Sequence, residues 1–494
     1  MKKHIYINVG VAFILCLLYI CLADYYSFAW CDEIYFSSPA ANLIDGRAWY
    51  TEGIGNPYPP LYSLMLAGWF LIFGVSHTAA VAMEILLAFC AYIVILRFVE
   101  RHCLFTKPVS YYLLIPLYWL GFYMPTVFTM GRVDMLVMLL VLLLIDEILP
   151  TNEKNVYNKW KLIGLSFLLA LSAIYPLPFT VFVILFFLIS SGAANRRIYF
   201  KIGLFVLSGI LLGLIATIVF SYYNGYLAEF LSWIGGGRSK VDAFIHKIPH
   251  AYSDIPTIAI YLITTTIIFF RKLNRIPLKI LIFIAMIPSL MMLVGRFERY
   301  YWWMMYIPTI VIFIMSIVSQ SKVHNVLSIA IVSLICVMSQ MFLCQYPQRY
   351  SHDYFNLDYN KTLFEYQHEK ALADRMVTDF KEELDNCAFV SELFYYPLFN
   401  NGSTNWFVFI GHFPKSQKSV IVRHDRSKFY WRIYEDYIRG YAKDEFPSKG
   451  VFFSLENRHT IDCIAFLKKE NYKYHEYVVD VKTQAKIITF EKQQ

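Results

Sequence analysis

The sequence predicts a polytopic α-helical membrane protein, a transmembrane bundle of about eleven spans plus interfacial helices, with a small C-terminal α/β domain outside the membrane. Three observations predict it. Hydrophobic residues make up 58% of the 494 positions and charged residues only 16%, against roughly 45–50% and about 25% in an ordinary soluble domain. Apolar runs on the scale of the about 20 residues needed to span hydrocarbon recur through the first 344 positions. From about residue 345 the composition turns to Tyr, Phe, Lys, Asp and Glu with mixed periodicity. The expected division is therefore a transmembrane domain over 1–344 and an extracytoplasmic α/β domain over 345–494.

The first run, 5–23, follows Met1-Lys2-Lys3-His4. No small-x-small cleavage site follows it, and Ile20 before Cys21 does not suit a lipoprotein site. It reads as an uncleaved span with its N-terminus in the cytoplasm. Further runs cover 78–97, 108–122, 133–149, 162–176, 177–190, 202–220, 253–270, 278–294, 301–318 and 325–344, several of them short or broken by proline. The run 59–75 opens on Pro59-Pro60 after a loop rich in Gly, Asn and Pro. If it lies in the interface, the basic residues 97–107, 154–161, 196–201, 271–279 and 322 all fall on the cytoplasmic side, as the positive-inside tendency asks. That orientation puts 24–77, the 123–125 turn, the loop 221–252, the turn 296–301 and the tail on the opposite face. The same bias accounts for the net charge of +8, and no clustered basic run calls for a nucleic acid.

In the tail, 361–385 reads as an amphipathic helix, and 387–393, 406–411, 450–455 and 473–490 contain strand-like runs. Of nine cysteines, most sit in apolar runs as small hydrophobes. Cys387 and Cys463 fall in the tail, where an extracytoplasmic location allows a disulfide between them.

The polar residues that need a reason cluster at the outer face. Asp32 and Glu33 stand just beyond the first span, among Trp30, Tyr35 and Phe36. Alone, the pair reads equally as a helix cap or a solvated loop start. In a site, one carboxylate is a general base and its neighbour tunes it. The stretch Asn56-Pro57-Tyr58-Pro59-Pro60-Leu61-Tyr62 is a rigid turn into a helix. In the site reading it folds back over Asp32 and brings Tyr58 and Tyr62 to substrate. Gly131-Arg132-Val133-Asp134 puts opposite charges at the end of an apolar helix. They form a structural ion pair, or Arg132 meets a phosphate while Asp134 holds it or contacts a sugar. Tyr175-Pro176-Leu177-Pro178 reads mainly as a tight connection. Gly235-Gly236-Gly237-Arg238-Ser239-Lys240 is a flexible loop, or a lid whose Arg238 and Lys240 cradle a phosphate; the P-loop spacing is absent. Arg296-Phe297-Glu298-Arg299 runs into an aromatic belt on the face where cations are disfavoured. Signatures of zinc proteases, serine hydrolases, P-loop NTPases and dinucleotide binding are missing in plausible context.

This pattern resembles the GT-C superfamily of membrane glycosyltransferases, which includes protein O-mannosyltransferases, lipid A aminoarabinose transferases and serotype-converting O-antigen glucosyltransferases. The resemblance rests on the Asp-Glu pair after the first span, the Pro-Pro-Leu-Tyr stretch, GRVDMLVMLLVLLL, and RFERYYWWMMYIPTIV, and covers roughly residues 1–345. It implies an inverting hexosyl transfer from a polyprenyl-phosphate-linked sugar donor to an extracytoplasmic glycan or protein acceptor, by a multi-pass protein of the inner (plasma) membrane bilayer. Asp32 matches the proposed base and Glu33 its support. Arg132 and Asp134 match a motif near the donor, and Arg296 and Arg299 resemble the cations that hold the lipid phosphate. Relatives carry a basic residue just before the Pro-Leu element, where this chain has Asn56, Pro57 and Tyr58, so phosphate binding falls to arginines elsewhere. No nucleotide is required. The mechanism leaves room for a divalent ion, although no His/Glu signature for one stands in the sequence. A surface glycan such as an O-antigen unit is the preferred acceptor, with a protein acceptor as the alternative. A lipid-linked-sugar transporter fits less well, because no internal repeat is evident and the charges gather at one face.

Overall fold

The computed structural model describes residues 2–22, 31–49, 58–102, 108–120, 131–149, 157–190, 193–231, 395–400, 449–454 and 464–493, less a few within these ranges, together with isolated residues elsewhere. The expected spans 253–270, 278–294 and 301–318, nearly all of 325–344, and the tail strands 387–393 and 406–411 lie outside the described residues, as do Cys387 and Cys463. Of the expected helix 361–385, only isolated helical positions are described. The chain divides into two compact units, one formed by Met1–Leu22, Pro57–Met65 and Val81–Leu343, the other by Ala23–Asn56, Leu66–Ala80 and Cys344–Gln494.

Ten described helices come in chain order: α1 (Lys2–Cys21), α2 (Cys31–Ile44), α3 (Leu61–Phe73), α4 (His77–Arg101), α5 (Pro108–Trp119), α6 (Asp134–Ile148), α7 (Lys159–Ser172), α8 (Pro176–Ser190), α9 (Ala193–Tyr223) and α10 (Tyr395–Asn400). Among the described residues, three stretches are long and apolar enough to cross a membrane, His4–Cys21, His77–Arg101 and Arg196–Tyr223. The others are short, as several of the expected runs are. Helices of 12–15 residues, such as α5, α6, α7 and α8, rise only about 18–23 Å against a hydrocarbon thickness of about 30 Å. The 13-residue α3 is similarly short. Prolines stand in these runs: Pro116 lies inside α5, which continues through it, and Pro176 starts α8 only four residues beyond the end of α7. Basic residues expected in loops stand on helices instead. Lys159 and Lys161 belong to the first turn of α7, and Arg196, Arg197 and Lys201 lie in α9, because a helix continues past its apolar stretch when its terminal turns are solvated.

In the first unit, α7 and α9 approach closely through small residues. A side-chain carbon added at Gly213 would sit 2.7 Å from the Ala170 methyl and 2.7 Å from the Phe167 carbonyl. At Gly209 it would meet the Ile163 carbonyl and, at 2.8 Å, Ser166. Gly209 and Gly213 on one helix thus face Ser166 and Ala170 on the other, the small-xxx-small arrangement that lets helix backbones pack in an apolar medium. Polar side chains stitch the rest. Tyr92 donates to the Asn8 amide oxygen (2.9 Å), Asn8 donates to the His4 carbonyl (2.7 Å), and Tyr19 donates to the Trp119 carbonyl (2.9 Å). A buried hydroxyl or amide must find such a partner, since unpaired it costs about 1–3 kcal/mol.

The second unit contains a three-stranded antiparallel sheet, β1 (Lys449–Ser454), β2 (Tyr472–Asp480) and β3 (Ala485–Lys492), in the order β1-β3-β2. The strand-like run 473–490 is a β2–β3 hairpin, and β1 adds to its far edge with Phe452 opposite Ile488. Ile487, Ile488 and Phe490 are buried, and the Tyr472 ring meets Phe490 edge-on at 5.6 Å. Two consecutive buried residues, Ile487 and Ile488, put one side chain on each face of β3, so both faces of the central strand are covered.

Candidate functional site

Two buried polar clusters stand out, one in each unit. The first is built on the start of α6. Gly131 adopts a left-handed backbone (φ 62°) that a side chain would strain, and so turns the chain sharply into Arg132. Val133 offers no capping side chain, and Asp134 occupies the first turn of the helix, where a carboxylate is favoured by the helix dipole. Arg132 Nε lies 3.0 Å from Asp134 Oδ2, with the two side chains 2% and 0% exposed. From the turn before α8, the Tyr175 hydroxyl donates to Asp134 Oδ1 at 3.0 Å.

Glu84 on α4, itself fully buried, lies beside the Tyr62 hydroxyl and the Met135 backbone N–H, within electrostatic reach of Asp134 and Arg132. These contacts fall short of regular hydrogen bonds at the Glu84 oxygens. Asp134 thus holds the guanidinium directly, with the Glu84 carboxyl in its field. Desolvating each charge costs several kcal/mol, which only close pairing offsets. Tyr62 reaches the cluster because Pro60 starts α3, its carbonyl accepting the first helical bond from Leu64 N–H at 3.0 Å. Tyr58, just before Pro59, is half-buried.

The second cluster is built on Glu33. The turn from α3 to α4 is tightly specified. Gly74 (φ 81°) closes α3 with its N–H on the Phe70 carbonyl at 2.8 Å. The Ser76 hydroxyl caps α4 by accepting the Ala79 N–H at 3.1 Å. The Trp69 indole donates to the Ala79 carbonyl at 2.8 Å. His77, the first residue of α4, is thereby aimed at α2, and its Nδ1 lies 2.8 and 2.9 Å from the two Glu33 oxygens. A carboxylate only accepts, so Nδ1 carries the proton. From α10 the Tyr396 hydroxyl donates to Glu33 Oε1. Ser37, one turn along α2 from Glu33, lies 2.9 Å from the Tyr396 oxygen. Because the tyrosine proton points at Glu33, Ser37 is the donor there. Glu33, Ser37, His77 and Tyr396 are all buried.

Several expected site residues are therefore accounted for. Arg132 and Asp134 pair directly, which both readings of them require; Tyr62 joins that cluster through Glu84; Glu33 is engaged on both oxygens. The Asp32 side chain, Arg238, Lys240, Arg296 and Arg299 lie outside the described residues. Among the described residues no group of three or more His, Cys, Asp or Glu could hold a metal ion. Sequence reasoning passed over Glu84, Tyr175, His77 and Tyr396. In sequence Tyr175 reads mainly as part of a connection; in the structure its hydroxyl also donates to Asp134. Glu84 had a usable signal, as a lone carboxylate inside the apolar run 78–97. His77 and Tyr396 had none.

No family model matches the chain, and no curated protein matches it. Two solved structures do. ArnT from Cupriavidus metallidurans bound to undecaprenyl phosphate superposes with a TM-score of 0.58 and 10% identity, covering 99% of this chain and 98% of that one. The apo state of the same enzyme gives a TM-score of 0.54 and 11% identity over the same shares. The chain thus has the fold of ArnT.

Proposed function

We propose that this protein is a GT-C-type membrane glycosyltransferase. It takes a hexose from a polyprenyl-phosphate carrier and transfers it, with inversion, to an acceptor hydroxyl on the extracytoplasmic face, with a lipid-linked O-antigen or other surface glycan as the acceptor. The observation that carries this is the shared fold over 99% of the chain with an enzyme whose structure holds undecaprenyl phosphate. The buried Arg132–Asp134–Tyr175 and Glu33–His77–Tyr396 clusters support it, since charge in an apolar setting is retained at the cost of desolvation where it serves a site.

The chemistry is economical. The Asp32 carboxylate removes the acceptor hydroxyl proton, and the oxygen attacks the anomeric carbon from the side opposite the phosphate. The bond between that carbon and the phosphate oxygen breaks with its electron pair, and polyprenyl phosphate leaves. Phosphate is already a good leaving group, so the remaining task is to neutralise its charge. Arg238, Lys240, Arg296 and Arg299 are assigned to that task, with Arg132 held by Asp134 beside the donor and Tyr58 and Tyr62 against the sugar.

The test is transfer by purified full-length protein with a panel of polyprenyl-phosphate sugars and a lipid-linked glycan or secreted protein as acceptor. Transfer to the glycan, lost in Asp32→Asn while expression and membrane insertion persist, is the expected result. Transfer to protein alone moves the acceptor assignment to protein O-glycosylation. No transfer from any donor, or wild-type transfer by Asp32→Asn, overturns the enzyme or its base respectively.

A further inference from the structure

Helix α10 lies 363 residues along the chain from the Glu33 it contacts, yet it touches α2 and the α3–α4 turn at three points. Tyr396 donates to Glu33 and meets Ser37 at 2.9 Å. Asn400 Nδ2 donates to the Val75 carbonyl at 3.1 Å. The Arg47 guanidinium, just past the end of α2, stacks over the Phe399 ring at 5.3 Å. The Tyr396 and His77 rings also meet, with centroids 6.2 Å apart. Glu33 is completely buried and accepts from two donors on two other elements, Nδ1–H of His77 and the Tyr396 hydroxyl. A carboxylate held on both oxygens in this way is not free to take a proton from a substrate, but it is well placed to fix the helix that carries it.

We infer that Glu33 is a positioning residue, and that Tyr396 and His77 clamp it so that α2 presents its other carboxylate residue, Asp32, in a fixed place. A residue of the C-terminal tail, Tyr396, and the first residue of α4, His77, thereby set the alignment of the base. Pro39 makes the clamp necessary. It stands inside α2, where a proline deletes a helical hydrogen bond and weakens the helix on its own. With the clamp made, α2 is held from outside. With it broken, the first turn of α2 frays, and turnover falls while donor binding is spared.

This inference rests on the transferase reading for its effect on turnover, so the experiment has one arm that does not. Full-length wild-type protein, Tyr396→Phe, His77→Ala and His77→Asn are placed in lipid nanodiscs. Amide hydrogen exchange of residues 31–44 is followed alongside steady-state transfer. Tyr396→Phe keeps the ring and removes the hydroxyl; His77→Asn keeps an N–H donor near the position of Nδ1. Exchange over 31–44 rising about tenfold in Tyr396→Phe and His77→Ala is expected, together with a kcat about tenfold lower at unchanged donor KM, and recovery of both in His77→Asn. Unchanged exchange in both loosened variants overturns the clamp. Faster exchange with unchanged kcat overturns its positioning role. A kcat loss that follows a raised donor KM also overturns that role. If the wild type transfers from no donor, the transferase reading fails, and exchange alone decides whether the clamp exists.

Discussion

The Tyr175 hydroxyl donates to the same Asp134 carboxylate that holds the Arg132 guanidinium, at 3.0 Å on each side. A tyrosine from the turn between two apolar helices thus completes a charge pair at the start of a third. The pair is almost wholly desolvated, so its members depend on one another for stability.

Removing Arg132 alone is expected to be far worse than removing the pair. Arg132→Met leaves Asp134 buried without its cation and should cost about 3–5 kcal/mol, whereas Arg132→Met with Asp134→Leu should cost clearly less. Thermal unfolding of the purified variants in detergent measures this. A double variant as unstable as the sum of the two singles would show that the groups act independently.

Tyr175→Phe should cost about 1.5–3 kcal/mol, the value of one hydrogen bond to a charged group. In the Asp134→Leu background the same substitution should be close to neutral, because the acceptor has gone. A full cost in both backgrounds would assign Tyr175 a packing role instead.

Glycine substitutions should separate by position. Gly213→Leu drives a side chain into the Phe167 carbonyl and the Ala170 methyl and should destabilise by about 1–3 kcal/mol or more, as overpacking does. Gly68→Ala, on a helix with open space around the added carbon, should be neutral or stabilising by up to about 1 kcal/mol. Equal melting temperatures for the two variants would contradict the close α7–α9 crossing.

Acid should weaken the end of α4 through His102. Burial holds this imidazole below its ordinary 6.5, opposed by Asp146 and reinforced by Arg101. The unfolded chain therefore binds a proton at a pH where the folded chain does not, and stability is full above about pH 6.5 and falls as pH drops from there towards the folded value. His102→Gln should flatten this part of the curve. A melting temperature that falls between pH 7 and 5 identically in wild type and variant would remove His102 as the cause.

The two clusters were unequally legible. Arg132 and Asp134 are two residues apart at the end of an apolar run, so the cost of burying either alone already suggested a pair. Glu84 was equally open to that argument, since a carboxylate in an apolar helix needs a partner wherever the helix packs. The Glu33 cluster was not legible beyond Glu33 itself. His77 and Tyr396 are ordinary residues at ordinary helix starts, and their meaning comes from α10 folding back over 363 residues of chain. The tail hairpin was visible as one strand-like run, but the order β1-β3-β2 was not, because strand pairing depends on contacts that periodicity does not record.

By itself the sequence determined the solvent: hydropathy sums along the chain, so 58% hydrophobic residues require a membrane protein whatever the packing. It also determined where charge would be conspicuous, at Asp32-Glu33 and at Arg132-Asp134. Only the tertiary structure decided which charges meet. It paired Arg132 with Asp134, brought Glu84 beside them, and closed His77 and Tyr396 on Glu33. The physical reason is that a charge's cost is local and can be read from its neighbours in sequence, whereas the partner that offsets it is chosen by the fold.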